Sequence, residues 1–247
     1  MLSRPASKVT AAELVVGQVR GLIERGEVRA GDRLPPERDL AQQLGVSRPS
    51  VRSGLKSLAA MGVVQIRQGA GTFITGGPPV LGSEPLRFLA ALHGFSRAQM
   101  FEARLVLEVS VAGLAAERAA PDKLMVISDE ATGMFASLDE PELFLEHDIR
   151  FHQAVAAAAG NPILASVVGM VAKMFYELRH HSIHTAKDLK LAAEEHRAIY
   201  QAIRARDAER ARNAMSQHLQ RAAVAQAQED QGTGPAAAAA ADQKERA

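Results

Sequence analysis

The chain has 247 residues, 29 Lys and Arg against 28 Asp and Glu, and no Cys, which excludes a disulfide scaffold, thiolate metal sites and a Cys nucleophile and fits a reducing compartment. Its 47% hydrophobic content is enough to bury real cores. Only 4% of residues are aromatic and none is Trp, a poor supply for stacking sugars or single-stranded bases, so a nucleic-acid partner would be duplex.

The net charge of +1 hides a division. Residues 1–76 carry 11 basic and 6 acidic groups, whereas residues 77–247 carry 18 and 22 together with all 8 His. Two compositions suggest two jobs. No run of about eighteen apolar residues is present to span a bilayer, and the opening MLSRPASKVT lacks the apolar core of a signal peptide. The expectation is a soluble, cytoplasmic protein with no membrane partner.

In chain order, Thr10 and Glu13 have capping-box spacing, and Leu14, Val15, Val19, Leu22 and Ile23 follow at helical intervals up to Gly26. LPPERDLAQQLG (34–45) predicts a short second helix, with Pro36 in its first turn and Gly45 at its end. Ser47 is a suitable N-cap for a third helix over 47–62, after a turn of helix-turn-helix length, and Pro49 falls where a missing N–H costs little. Residues 63–66 and 71–75 are β-prone and flank Arg67, Gln68, Gly69 and Ala70, which predicts a hairpin. Three helices and a hairpin make a winged helix-turn-helix over residues 1–76.

Residues 77–83 have the Gly and Pro content of a linker. Helical periodicity then predicts segments at 84–94, 97–119, 121–137, 141–159, 162–183, 186–206 and 207–228, an all-α bundle of six or seven helices. Gly160 is placed to end a helix, and Asn161-Pro162 and Arg206-Asp207 mark tight junctions. Residues 229–247 are low in complexity and are expected to be a disordered tail.

Between Asp39 and Glu84 there is no acidic residue, while Arg48, Arg52, Lys56 and Arg67 fall inside that window. Such a surface attracts phosphate. On the third helix Val51, Leu55 and Leu58 share a packing stripe, and Arg48, Arg52 and Lys56 form another, displaced by roughly 100° at 3.6 residues per turn. Recognition helices present their N-terminal residues to base edges, here Ser47, Arg48, Ser50 and Arg52. Arg52 is the base-reading candidate, since Arg bonds guanine with two parallel contacts. Arg38, Gln68 and Gly69 would touch the backbone or minor groove. The plainer alternative is a solvated basic face.

LPPERDLA, SRPSVRSGLKSL and IRQGAGTFI, taken together, resemble the N-terminal domain of the GntR family of bacterial transcription regulators over about residues 10–75. The resemblance implies operator DNA bound by a dimer, with Arg38, Arg48 and Arg52 on the family's DNA-contacting arginines and Gly69 at the wing tip. Ser53, Gly54 and Ala70 depart from the family pattern, and Gly54 is expected to cost about 1 kcal/mol in helix propensity relative to Ala.

In the second part, Asp148 and His152 are one helical turn apart, about 6 Å along the axis, and can face one ion. His196 and His218 lie on later helices beside Ile199, Ile203, Met215 and Leu219, which places them near an inward face. Together they form a ligand set for Zn²⁺, Ni²⁺, Mn²⁺ or Fe²⁺. Hydrogen-bonded core histidines and a simple Asp–His helix pair are the alternatives. His180, His181 and His184 form a rival group near a helix end without a carboxylate, and His93 and His147 have no partner pattern.

FEARLVLE (101–108), Asp148 with His152, Gly160-Asn161-Pro162, EEHRAI and His218 resemble the FCD ligand-binding domain of the FadR subfamily over about residues 84–225. Many members carry an Asp and three His as a metal site. The resemblance therefore implies that Asp148, His152, His196 and His218 hold a divalent metal, and it argues against a long-chain acyl-CoA ligand. A small organic acid could take the open coordination positions, with Arg104 binding its carboxylate, unless Arg104 pairs with Glu108 at i+4. Asn161 and Arg179 are further effector-contact candidates.

The expected function is a homodimeric, metabolite-responsive regulator, a repressor, in which a small carboxylate alters operator binding. Three histidines with an open position also describe a zinc enzyme. A third possibility is that the metal itself is the signal.

Overall fold

The computed structural model describes residues 9–76, 84–179 and 188–232. The chain divides into two compact units, Met1–Gly82 and Ser83–Ala247.

In the first unit, α1 (Ala11–Glu24) starts at the expected capping box: Thr10 Oγ1 accepts from Glu13 N at 3.2 Å and Glu13 Oε2 accepts from Thr10 N at 2.7 Å. Helix α2 (Glu37–Leu44) has Pro36 as its N-cap and closes on Gly45, whose φ of 63° is left-handed. That conformation costs Gly nothing, and it turns the chain toward α3 (Arg48–Ala60). Ser47 caps α3, accepting from Ser50 N at 3.3 Å.

The wing is β1 (Val64–Arg67) paired antiparallel with β2 (Gly71–Ile74), Val64 opposite Ile74 and Arg67 opposite Gly71. It begins one residue later than the hydrophobic pattern predicts, because Val63 N closes the end of α3 by donating to Leu58 O at 2.9 Å. The sequence pattern also misses a bridge from Arg33 to Phe73 that adds the segment before α2 to the wing, with Leu34 N donating to Thr72 O at 2.8 Å. Val15, Val19, Leu34, Leu40, Val51, Leu55, Leu58, Val64 and Ile74 form the core of this unit.

At Gly54 packing outweighs the expected helix-propensity cost. A Cβ there would lie 2.6 Å from Val15 Cβ and 2.9 Å from the Ala12 carbonyl oxygen, so Gly54 is where α1 closes on α3. Neither atom can swing aside. Ala would gain about 1 kcal/mol of helix propensity but overpack the junction at a cost of about 1–3 kcal/mol. Gly54→Ala is therefore expected to lower the urea midpoint of the first unit, and a raised midpoint would show that α1 can retreat.

The second unit consists of α4 (Glu84–His93), α5 (Arg97–Arg118), α6 (Pro121–Ala136), α7 (Pro141–Ala158), α8 (Pro162–Arg179), α9 (Leu189–Arg204) and α10 (Ala208–Gly232). Three of these helices begin with Pro, whose fixed φ and missing N–H suit a first turn. Ser96 and Gln99 form a capping box on α5, and Asp188 caps α9. Helix α5 is central, packing on α7, α8, α9 and α10, and its Ala112, Ala115 and Ala116 are fully buried. At the α9–α10 corner Arg206 adopts φ 61°, and its guanidinium donates to the Ala116 and Ala119 carbonyls that end α5. Helix α10 continues to Gly232, past the expected start of a tail at 229, carried by the good helix formers Gln226 to Glu229. The linker 77–83, the His180, His181 and His184 group and residues 233–247 lie outside the described residues.

Candidate nucleic-acid interface and metal centre

On the first unit, Arg38, Ser47, Arg48, Arg52, Lys56, Gln68 and Gly69 are exposed and Ser50 is half-buried. The Ser47 and Ser50 hydroxyls lie 2.8 Å apart at the start of α3. Gly69, with φ 74°, turns the wing, and Arg67, at the end of β1 beside that turn, lies 4.7 Å over the Phe73 ring. Arg52 is not a free cation. It grips Glu37 of α2 with two hydrogen bonds, Nε to Oε1 at 3.2 Å and Nη2 to Oε2 at 2.9 Å. These bonds hold the Glu37 carboxyl below its usual range and raise the Arg52 guanidinium. A pair fifteen residues apart in sequence leaves no local signal, so the reading of residue types alone missed it.

In the second unit α7 brings Asp148 and His152, α9 brings His196 and α10 brings His218 to one point, with one donor atom from each lying within 4.8 Å of all the others. All four are buried, His196 completely. His196 Nε2 lies 3.3 Å from His152 Nε2 and 3.2 Å from Asp148 Oδ1.

The outward nitrogens decide what these rings can do. His196 Nδ1 lies 2.7 Å from the Ala192 carbonyl, His218 Nδ1 lies 3.0 Å from Glu195 Oε2, and His152 Nδ1 lies 2.5 Å from Glu108 Oε2. The last pair is off the line of a hydrogen bond, and neither atom has another partner. With every Nδ1 facing an acceptor, its proton belongs there and the three Nε2 lone pairs face inward. Two such lone pairs at 3.3 Å repel unless a cation lies between them. Two metal–nitrogen bonds of about 2.0–2.1 Å at a tetrahedral angle put their nitrogens roughly 3.3 Å apart. The donor set therefore fits a divalent cation.

Burial opposes ionisation of both nearby carboxyls, and their neighbours overcome it. Arg104 and His152 hold the Glu108 carboxyl well below its ordinary range, and His196, with His152 and Arg179, does the same for Asp148. Burial, with His196 and His152 beside it, pushes the His218 imidazole well below its ordinary value of 6.5. Below that pH the unfolded chain therefore binds more protons than the folded one, so stability rises with pH. In the presence of a chelator, melting of the full chain is expected to weaken as pH falls below 6.5, with a further loss below 4.5 from Glu108 and below 3.8 from Asp148. A melting temperature that is flat from pH ~7 to ~4 would contradict these shifts.

Asp148 and His152 also face a narrow cleft lined by Arg104, Leu145, Ala172, Phe175 and Tyr176 among others. Arg104 is 2% exposed, donates from Nε to Glu108 Oε1 at 2.6 Å and lies 4.3 Å under the Phe175 ring. The ion pair with Glu108 is thus present, and it uses only the Nε edge.

Residues 11–74 match the bacterial regulatory proteins of the gntR family, and residues 99–221 match the FCD domain. A protein of Escherichia coli (strain K12) that carries the name of an L-lactate dehydrogenase operon regulatory protein is 36% identical over 83% of this chain and 82% of its own. The HTH-type transcriptional regulator LutR of Bacillus subtilis (strain 168) is 32% identical over 80% of this chain and 93% of its own. A solved Streptococcus agalactiae GntR, 27% identical, covers 86% of this chain and 98% of its own with a TM-score of 0.64.

The chain belongs to the GntR family, with an FCD domain. It is a DNA-binding transcription regulator and not an enzyme, which removes the zinc-enzyme reading.

Within this GntR protein the other sequence candidates fall in different places. Asn161 Oδ1 accepts from Ile163 N at 3.0 Å and Leu164 N at 3.3 Å, so that oxygen caps α8. Arg179 ends α8 and acts electrostatically on Asp148. His147 sits in the notch at Gly133, with Nδ1 2.7 Å from Glu130 Oε2. His93 is exposed near Phe95. Helical spacing and apolar neighbours picked out the four clustered residues, and the FCD resemblance strengthened their metal-binding role. It did not point to Glu108 and Glu195, which face two of the rings.

Proposed function

We propose that this regulator is a cytoplasmic homodimeric repressor that reads duplex operator DNA with Arg38, Ser47, Arg48, Ser50, Arg52, Lys56, Gln68 and Gly69. Its FCD domain holds one divalent cation, Zn²⁺, Ni²⁺, Mn²⁺ or Fe²⁺, on Asp148, His152, His196 and His218. The observation that carries the metal reading is the convergence of three Nε2 lone pairs whose Nδ1 partners all lie outside the cluster.

A cation bound there would offer an open coordination position to a carboxylate. The adjoining cleft shares Asp148 and His152 with the cluster, and Arg104 lines it. Among the described residues Arg104 spends only Nε in hydrogen bonding, so its two Nη groups are the donors for a small carboxylate, and Arg179 contributes positive charge nearby. The cleft has no room for a ligand as it stands, so the proposed acid is one of a few carbons and its entry requires the lining side chains to move apart. L-lactate is the first acid to try, given the name of the Escherichia coli relative. Coupling of about 1–3 kcal/mol would shift operator affinity roughly 5- to 150-fold.

The same narrowness supports a second reading, in which the metal alone is the signal. Metal analysis of the purified protein, followed by thermal shift and operator binding with L-lactate or with a chelator, separates the two. Release of DNA by lactate only from the metal-loaded protein supports the first reading. Release by chelator with no response to small acids supports the second, and protein without metal overturns both.

A further inference from the structure

Two glutamates stand in matching positions around the histidine cluster. Glu108 on α5 turns Oε2 toward His152 Nδ1 at 2.5 Å and accepts from Arg104 Nε on Oε1 at 2.6 Å. Glu195 on α9 accepts from His218 Nδ1 on Oε2 at 3.0 Å and from Arg221 Nη1 on Oε1 at 2.5 Å. Each carboxylate turns one oxygen to an imidazole and gives the other to an arginine, the imidazole contact meeting hydrogen-bond geometry at Glu195 alone. His196 differs, because its Nδ1 faces a backbone carbonyl.

We propose that Glu108 and Glu195 are positioning residues that set the affinity of the cluster for its cation, and that Arg104 and Arg221 limit how much negative charge each lends to its imidazole. This rests on the metal reading above. A carboxylate accepting from Nδ1 fixes the tautomer and ring orientation and makes Nε2 a stronger donor to a cation. A guanidinium on the other oxygen draws on the same charge, so carboxylate and arginine act on the metal with opposite signs.

The two arms differ in surroundings. Arg104 and Glu108 are both 3% exposed at the side chain, whereas Arg221 is 58% and Glu195 13% exposed. Removing Arg104 would strand a buried charge. The Glu195 arm can be altered on a folded protein and carries the test.

Zn²⁺ affinity of the full chain is measured by competition with a chromophoric chelator, with the melting temperature of each variant recorded beside it. Glu195→Gln is expected to weaken Zn²⁺ binding roughly 10- to 100-fold. Arg221→Gln is expected to strengthen it, because the whole Glu195 charge then falls on His218. A bridge that merely tied α9 to α10 would lower both melting temperatures and leave Zn²⁺ affinity unchanged. Equal affinity in wild type and Glu195→Gln, or weaker binding in Arg221→Gln, overturns the inference while leaving the metal site standing. A wild-type chain that takes up no Zn²⁺ overturns both.

Discussion

His196→Ala is expected to strip the protein of most of its bound metal and to abolish the difference in melting temperature between metal-loaded and chelated samples. His196 is the hub of the cluster. Its Nε2 lies 3.3 Å from His152 and 3.2 Å from Asp148, and its ring centroid lies 4.2 Å from that of His218. A structural zinc site binds with an apparent free energy of about 10–16 kcal/mol, so one ligand in four accounts for roughly 3–4 kcal/mol, or about 10²- to 10³-fold in affinity. The substitution also opens a hole against Phe151, whose ring centroid is 4.8 Å away, and so lowers the chelated melting temperature by itself. Metal stoichiometry separates the two effects. His147→Ala, which removes contacts with Glu130, Arg150 and the Gly133 notch, is the control and is expected to retain the wild-type metal content. If His196→Ala retains it as well, the cluster is not a metal site.

The architecture was largely legible because its boundaries are local. Ser47, Ser96, Gly45 and the prolines at 121, 141 and 162 begin or end helices through their own backbone and side-chain chemistry, whatever they pack against. His196 and His218 could be placed inward because Ile199, Ile203, Met215 and Leu219 share their stripes, and all four of these apolar residues are buried. What could not be read depends on pairs distant in sequence. The fit of Gly54 against Val15, the grip of Glu37 on Arg52 and the faces that Glu108 and Glu195 turn to the histidines exist only once helices have packed. Asn161 is legible both ways: its Gly-Asn-Pro setting supports a helix cap as readily as a ligand contact, and its Oδ1 forms the cap. The charge division between the two units says that one is built for polyanions, but it does not show that Arg52, the base-reading candidate, already has a carboxylate partner.

That partner shapes the second large effect. Arg52→Ala is expected to weaken operator binding roughly 5- to 150-fold, the range for losing a bidentate contact to a base, while changing affinity for scrambled duplex far less. Before contact the guanidinium is held on Glu37 by bonds of 3.2 and 2.9 Å. An exposed pair of this kind is worth at most about fivefold in an equilibrium, so a guanine edge that offers two acceptors can outcompete it. On the base-reading proposal, Glu37 would hold Arg52 back from casual phosphate contacts and release or share it where a base offers two acceptors. Glu37→Gln should then tighten binding to scrambled duplex and narrow the gap between operator and random sequence. Both variants can be measured by fluorescence anisotropy on operator and scrambled DNA over a range of salt. If Arg52→Ala weakens both duplexes equally and lowers the salt slope by about one, Arg52 holds a phosphate, and Glu37 has no base reader to restrain.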